Sequence, residues 1–350
     1  MTSRERVRRA LQRLPVDRVP AHFECTSYVM DHLREHYGFS SAEEVYTHFN
    51  IDIRSAGPDY TGPERGRREL KGRNYECEGL FGEWRRAVWD GREYNTVCFS
   101  HPLDEAETAD DVDTMMTWPS PEWFDYDGLR EKLSRTGDKA VITGHWGPFQ
   151  TSANLRAEEK LYMDMAINPE LAHRIFQRMH EFQMQHYENL LEAGAGRIDI
   201  LRTHDDYGTQ RGMLFSIEMW RDYFKTYTRE LADLAHRYGA FFQQHSCGAV
   251  RPVIPELIEC GVDSIEPIQP VEGMDPESLA ADFGSRITFC GGIDTQHLLP
   301  FGTRDEVTAE TRRYISTLGA EGGYILYPSQ AWESCVPISN IEALYSVSRV

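Results

Sequence analysis

The sequence predicts an α/β protein in which residues 1–350 form a single (β/α)8 TIM barrel, with a long insertion after the second strand at about 58–138. Short apolar, β-branched runs recur along the chain, and a longer stretch with helical periodicity follows each of them, which is typical of parallel βαβ units. Eight such runs occur in a chain of 350 residues. The competing fold is a doubly wound open sheet, but no G-x-G-x-x-G or G-x-x-x-x-G-K-[ST] motif follows any run.

The elements follow one another in a regular order. Residues 3–14 place Val7, Ala10, Leu11 and Leu14 at helical spacing, and Pro15 ends this first helix. The eight predicted strands are residues 18–24 (RVPAHFE), 51–57 (IDIRSAG), 139–144 (KAVITG), 197–203 (RIDILRT), 240–245 (AFFQQH), 263–267 (DSIEP), 286–291 (RITFCG) and 323–327 (GYILY).

The insertion has a pattern of its own. Residues 81–99 contain two β-like stretches around Asp90-Gly91, which is a strong hairpin signal. Residues 102–125 are acidic and rich in turn formers, so we expect a surface connection there. We expect the insertion to lie over one end of the barrel.

Composition excludes several classes of protein. The chain has 37 Lys+Arg and 56 Asp+Glu, a formal net charge of −19, and no basic patch that would bind nucleic acid or an anionic membrane surface. It has no apolar run long enough for a membrane span and no signal-peptide pattern, so we expect a cytoplasmic protein. The 7 cysteines are scattered rather than dense, which favours reduced thiols over a disulfide framework.

Polar residues gather where the predicted strands end, and in a (β/α)8 barrel the carboxyl ends of the strands carry the active site. The candidates are Glu24, His145, Trp146, Asp205, Asp206, Tyr207, Glu266, Gln269, Asp294, Gln330 and Trp332. Neighbours in an extended chain diverge, so only one of the two adjacent aspartates should face the mouth, as a group that orients substrate or transfers a proton. Capping of the helix that follows, or pairing with a nearby arginine, is an equally good explanation for an aspartate here. Aromatic side chains at these ends can form the walls of a flat pocket or simply belong to the core.

A His-x-Cys pair ends the fifth run. In an extended segment His245 and Cys247 point to the same side, and an imidazole with a thiolate suits zinc. Cys335 is the candidate third ligand. The alternative is that Cys247 is a small buried residue and His245 a hydrogen-bonded barrel residue, because H-x-C alone is a weak pattern.

Six segments together resemble one known family. They are SRERVRRALQRLPVDRVP at 3–20, GHWGPFQ at 144–150, DDYGTQ at 205–210, HSCGAVRPVIPELIECGVDSIEPIQP at 245–270, GGIDTQHLLPFGTRDEV at 291–307 and PISNIEALY at 337–345. The chain resembles the uroporphyrinogen decarboxylase superfamily, including its corrinoid-dependent methyltransferase branch. The resemblance implies a (β/α)8 barrel. The arginine-rich motif with which true porphyrinogen decarboxylases bind their many substrate carboxylates is missing, because residues 22–28 read HFECTSY.

The methyltransferase branch implies a more specific function. A methyl group would move between a small methylated substrate, such as a thiol or methyl ether, and a corrinoid of the methylcobalamin type. His245 and Cys247 match the first two zinc ligands of that branch, while the third falls near Gln330, is supplied by Cys335 or is absent. Asp206, Tyr207, His145 and Glu24 would act on the substrate as catalytic residues. The chain has no D-x-H-x-x-G signature, so the corrinoid protein would act in trans.

Two other functions stay open at this stage. One is a metal-independent decarboxylase or lyase acting on a small carboxylate, and the other is a barrel that binds a ligand without catalysis. The expected partners are a small-molecule substrate, the corrinoid protein and, as a further option, a second copy of the chain.

Overall fold

A computed structural model describes residues 1–347 of the chain. The helices are α1 (Ser3–Leu11), α2 (Ser27–Tyr37), α3 (Ala42–His48), α4 (Ala109–Thr114), α5 (Tyr126–Ser134), α6 (Pro148–Leu155), α7 (Glu158–Ile167), α8 (Pro169–Gly194), α9 (Ile217–Tyr223), α10 (Lys225–Arg237), α11 (Ile254–Glu259), α12 (Pro276–Phe283), α13 (Leu298–Phe301), α14 (Arg304–Leu318) and α15 (Ile338–Ser346). The strands are β1 (Ile53–Ser55), β2 (Asp59–Tyr60), β3 (Arg67–Glu69), β4 (Tyr75–Glu78), β5 (Trp84–Trp89), β6 (Tyr94–Ser100), β7 (Phe124–Asp125), β8 (Ala140–Thr143), β9 (Ile200–His204), β10 (Phe241–His245), β11 (Ser264–Glu266), β12 (Thr288–Cys290) and β13 (Tyr324–Ile325).

A parallel sheet of seven strands forms the centre, in the order β1-β8-β9-β10-β11-β12-β13. The order follows the chain, and every pair is parallel, because a helical segment crosses back between successive strands. The inner strands are buried on both faces, as in β8, where all four residues are buried. The predicted α/β barrel architecture is therefore confirmed, and seven of the eight predicted strands are present.

The first predicted strand is wrong as a regular element. Residues 18–24 make only isolated contacts, with Ala21 bridging Leu326. Leu326 donates its N–H to the carbonyl of Pro20, and Asp52 donates to the carbonyl of Ala21, both over short distances of 2.8 and 2.9 Å. The segment thus lies between β13 and β1 and fills the gap between the edges of the sheet. Pro20 lacks the N–H that a continuous ladder requires, which explains why no full strand forms.

The insertion after the second predicted strand is confirmed. It carries an antiparallel sheet in the order β3-β4-β5-β6 and a two-stranded pair, β2 with β7. The predicted hairpin joins β5 to β6, and the side chain of Asp90 accepts the backbone N–H groups of Arg92 and Glu93 in its turn. The acidic stretch at 102–125 is more than a surface connection. It forms α4 and buries Leu103, Ala106 and Val112.

Helix α1 covers the amino ends of the strands. Its residues Val7 and Leu11 pack against Ile53, Ile142 and Ile325 in a small core. The opposite end of the barrel, where the strands finish, is left for polar side chains. Within residues 1–347, no helix has the combination of length and apolar character that crossing a membrane demands.

Candidate metal centre at the barrel mouth

His245 lies at the carboxyl end of β10 and is held from both sides. Its Nδ1 is 2.8 Å from a carboxylate oxygen of Glu266, which ends the neighbouring strand β11 at the paired register position. Its Nε2 is 3.5 Å from the Sγ of Cys247 and 3.4 Å from Oδ1 of Asp206. The imidazole thus presents Nε2 to a thiol and a carboxylate, while Glu266 fixes the ring from behind.

The turn that follows β10 places the thiol. Cys247 donates its backbone N–H to Asp206 over 2.8 Å, and Gly248 donates to the side-chain oxygen of Gln269 over 2.7 Å. Gly248 has φ of +87°, and a Cβ there would lie 2.6 Å from backbone atoms of Gly208 and Thr209. Only glycine fits this close backbone approach without a shift, so the turn is packed tightly against the segment after β9.

Asp206, His245 and Cys247 suit a zinc ion. Their donor atoms all lie within 4.8 Å of one another. A tetrahedral zinc with its usual bond lengths to N, O and S separates its ligands by about 3.3–3.7 Å, which agrees with the two distances measured from Nε2. Glu266 occupies the position of the carboxylate that commonly orients a zinc-bound histidine. His204, His245 and Glu266 form a second group within the same limit, but it lacks a sulfur ligand and uses the nitrogen that already faces Glu266.

The imidazole of His245 and the carboxylates of Asp206 and Glu266 stabilise one another's charged forms. Burial favours the neutral imidazole of His245, but the charge of Glu266 and the contacts with Asp206 and Cys247 outweigh burial and raise its pKa well above the ordinary value. Burial likewise raises the pKa of Asp206 and Glu266, and in both the contacts with His245 prevail, so each pKa is lowered. Both carboxylates are therefore anionic at neutral pH.

Three histidine rings form a stack at the mouth. The ring centre of His204 is 4.2 Å from that of His245 in a nearly parallel arrangement, and 4.4 Å from that of His145. Burial, followed by the charges of His245 and Arg202, lowers the pKa of His204 far below its ordinary value. Burial also lowers the pKa of His145. These two imidazoles are consequently neutral. His204 directly follows the predicted strand 197–203 but is not among the candidates predicted from sequence.

Arg202 is a buried cation that sequence reasoning also missed. It binds Glu24 through both terminal nitrogens, at 2.7 and 3.2 Å, and approaches Glu266 to 3.7 Å. Glu24 was predicted as catalytic, and the structure places it in this ion pair. Burial raises the pKa of Glu24, but Arg202 and His22 outweigh it and hold that pKa well below the usual range. An arginine inside the apolar run 197–203 was the available signal.

Several predicted site residues lie away from the metal cluster. Asp205 is buried and accepts the backbone N–H groups of Phe149 and Gln150, so it caps α6. Tyr207 donates to Asp205 and packs in the core against Trp220 and Phe224. Asp205 therefore caps a helix, but it is the preceding α6 and not the helix that follows, while Tyr207 belongs to the core.

The remaining candidates are divided between the rim and the core. Trp332 is fully buried and donates to the hydroxyl of Tyr345, while Asp294 accepts the backbone N–H groups of residues 296 and 297. Cys335 is exposed and belongs to neither ligand group found in residues 1–347. The amide nitrogen of Gln330 instead lies 3.5 Å from the Sγ of Cys247. Between the two late candidates, Gln330 is the one beside the thiol.

A cleft of about 900 Å³ opens beside the cluster. From the barrel it is lined by His145, Gln150, His204 and Asp206, and from the insertion by Glu83, Arg85, Cys98 and His101. The side-chain amide of Gln150 donates to Asp206 over 3.0 Å and so fixes the carboxylate at the cleft wall. The insertion therefore completes the upper wall of the site, as its predicted position over one end of the barrel requires.

Comparison with known proteins gives a family and a structural likeness that covers the full chain. The family model described as uroporphyrinogen decarboxylase (URO-D) matches residues 126–349. A solved "methyltransferase from Methanosarcina mazei" superposes with a TM-score of 0.68 at 17% identity, over 100% of this chain and 98% of that chain. The "Crystal structure of D-tagatose 3-epimerase-like protein" gives a TM-score of 0.36 at 14% identity, over 64% of this chain and 81% of that chain. No curated protein matches the sequence.

Proposed function

The chain belongs to the uroporphyrinogen decarboxylase family, and from that premise we propose that it is a zinc-assisted methyltransferase. The methyl group moves between a small methylated thiol or methyl ether and a corrinoid of the methylcobalamin type that a partner protein carries in trans. The fold it shares with the Methanosarcina mazei methyltransferase is compatible with this activity.

The observation that carries the proposal is the geometry of Asp206, His245 and Cys247. The three residues offer oxygen, nitrogen and sulfur donors at zinc spacing, and Asp206 lines the cleft from which a fourth ligand would enter. Catalytic zinc sites commonly have three protein ligands and one open position. A zinc ion bound there would act as a Lewis acid on a thiol or an ether oxygen of the substrate.

The chain's own residues prepare the site for such a substrate. Glu266 orients His245, and Gln150 orients Asp206, so two of the ligands are fixed before metal binds. Arg202 keeps Glu266 anionic from the far side. His145 and His204 present neutral imidazoles to the cleft, where a ring nitrogen can accept a hydrogen bond from the substrate.

Charge pairing at the mouth argues against a polyanionic substrate. Arg202 is the buried arginine of the mouth, and its charge is matched by Glu24 and Glu266. A binding site for a substrate with many carboxylates requires arginines whose forks are free. The metal-independent lyase acting on a small carboxylate remains the alternative function.

Zinc content is the measurement that tests the metal site. We expect about one zinc per chain in protein purified without chelator, and loss of that zinc in His245→Ala and in Cys247→Ala. Cys335→Ser is the matched control, because it removes an exposed thiol outside both ligand groups and should retain the metal. Wild-type protein that stays free of metal after zinc is supplied would contradict the proposal.

Methyl transfer can be followed by the absorption change of free methylcobalamin as small thiols are added. The wild-type protein should accelerate demethylation, and removal of zinc or the Cys247→Ala substitution should abolish the acceleration. Release of carbon dioxide from small carboxylic acids, unaffected by chelator, would instead support the lyase.

A further inference from the structure

A second cavity lies beside the metal cleft and is chemically different from it. It has a volume of about 370 Å³ and is bounded by the end of β1, the end of β8 and the long helix α8. His145 and Trp146 line both this cavity and the cleft. We call it the side pocket. The two spaces therefore adjoin at the histidine stack, whose third ring belongs to the metal ligand His245.

The side pocket has rigid aromatic walls. Trp146, Phe124 and His186 pack against one another, with ring centres 6.0, 5.1 and 4.4 Å apart. The hydroxyl of Tyr187 is fixed by the carbonyl of Trp146 and the N–H of His145. Tyr126 anchors His186 at 2.9 Å. Walls of this kind offer ring edges and faces to a flat ligand without a large cost in conformational entropy.

Charge in the side pocket is already neutralised. Arg202 is its one ionic lining residue and is at least nine-tenths buried. The terminal nitrogens of Arg202 form ion pairs with Glu24 and Glu266. Burial lowers the pKa of His186 to about 4, so that wall is neutral at pH 7. An anionic ligand would face two carboxylates behind Arg202, which disfavours it. The Nε of Arg202 is buried and has no partner among residues 1–347.

We propose that the side pocket binds a neutral, single-ring aromatic group of the substrate, with its methyl-bearing heteroatom directed past His145 towards the cleft. This inference names the substrate class for the proposed methyltransferase and rests on that function for what happens after binding. A cavity of about 150 Å³ already admits benzene, so the side pocket has room for a ring with a substituent.

Binding can be measured by ligand-detected NMR or calorimetry with three probes. Anisole should bind with a Kd of about 1 mM or tighter, as its few heavy atoms allow. Cyclohexyl methyl ether, which lacks the π-system, and benzoate, which is anionic, should each bind at least about tenfold more weakly. Equal binding of the saturated ether, or no saturable binding of anisole, would overturn the inference.

Two substitutions of equal size locate the ring. Ala56→Phe fills the side pocket and should weaken anisole binding at least about tenfold, whereas Ala153→Phe adds the same bulk to the cleft and should change it less than about twofold. The reverse pattern would place the ring in the cleft and overturn the inference. Ser55→Tyr at the exposed rim serves the same purpose if Ala56→Phe does not fold.

Zinc content, measured on the same samples, separates the two proposals. Zinc bound without anisole binding contradicts the aromatic pocket alone. Anisole binding in a protein that takes up no zinc contradicts the metal-dependent transfer alone.

Discussion

Glu266 shows how one carboxylate can control a metal ligand that it supports from behind. It accepts from the Nδ1 of His245, which leaves Nε2 as the metal-binding nitrogen and fixes the plane of the ring. It is also within reach of Arg202, so its charge is balanced on the side away from the metal. The side chain of Glu266 is only 2% exposed, so its contacts are with protein groups.

We therefore expect Glu266→Gln to weaken zinc binding by about 10–100-fold while the fold persists. The amide can still contact the imidazole, but it no longer stabilises a polarised ring. Competition with a chromophoric chelator measures the affinity. Glu333→Gln is the control, since it removes one carboxylate charge from an exposed position at the rim. Equal zinc affinity in the two variants would show that Glu266 does not support the metal ligand.

His186 should make folding stability depend on pH. Burial lowers its pKa from 6.5 to about 4, so in the range between those values the unfolded chain binds a proton that the native protein rejects. Stability contributed by the neutral ring is thus present above the unfolded pKa and lost as pH falls. We expect this histidine to account for about 2 kcal/mol of the loss between pH 7 and pH 5.

Urea unfolding of wild type and His186→Phe at both pH values tests this expectation. The phenylalanine keeps an aromatic ring among Phe124, Trp146 and Phe182 but cannot titrate. The variant should therefore lose about 2 kcal/mol less than wild type over the interval. Identical losses would mean that His186 is not the group responsible.

At the scale of elements, a single buried aspartate joins the two edges of the barrel. Asp52, just before β1, accepts from Arg6 of α1, from Arg18 and from the backbone N–H of Ala21, at distances of 2.7–2.9 Å. It is fully buried. Because residues 18–24 form no regular strand, these contacts take over the role of a continuous ladder at the seam.

Asp52→Asn should lower the free energy of unfolding by about 3–5 kcal/mol, because it removes the buried carboxylate that Arg6 and Arg18 share. Asp17→Asn, which removes the other partner of Arg6 from a position that is 41% exposed, should cost less than about 1 kcal/mol. Denaturant unfolding gives both values. Faster hydrogen exchange at Ala21 in Asp52→Asn alone would locate the damage at the seam.

The elements that the sequence predicted well are those decided by local chemistry. Asp90-Gly91 favours a tight turn, and the apolar runs that became β8 to β13 are buried strands except at His204 and Phe241. The prediction of the first strand was wrong because it rested on apolar composition and left out the interruption of pairing by Pro20. The burial of Leu103 and Val112 was also out of reach, since it depends on how the insertion returns to the barrel.

At the scale of the whole molecule, the parallel topology explains which site residues could be foreseen. Strand ends meet at one edge, so Glu24, Asp206, His245 and Glu266 could be grouped from sequence. The direction of a side chain in the loops after the strands could not be deduced from the sequence pattern. Asp205 points to α6 and Tyr207 to the core. Gln330 approaches Cys247 because of the path of the loop 328–335, which its sequence pattern does not predict.

The same topology predicts that the metal site is largely preformed. The backbone N–H of Cys247 already donates to the carboxylate of Asp206, and Glu266 already holds His245. Removing zinc should therefore leave the circular dichroism spectrum unchanged and lower Tm by several degrees, because a ligand at about 1,000 times its Kd stabilises the native state by about 4 kcal/mol. His245→Ala, which cannot gain this energy, should show the same Tm with and without zinc. Loss of secondary structure in the metal-free wild type would instead mean that the cluster folds only around the ion.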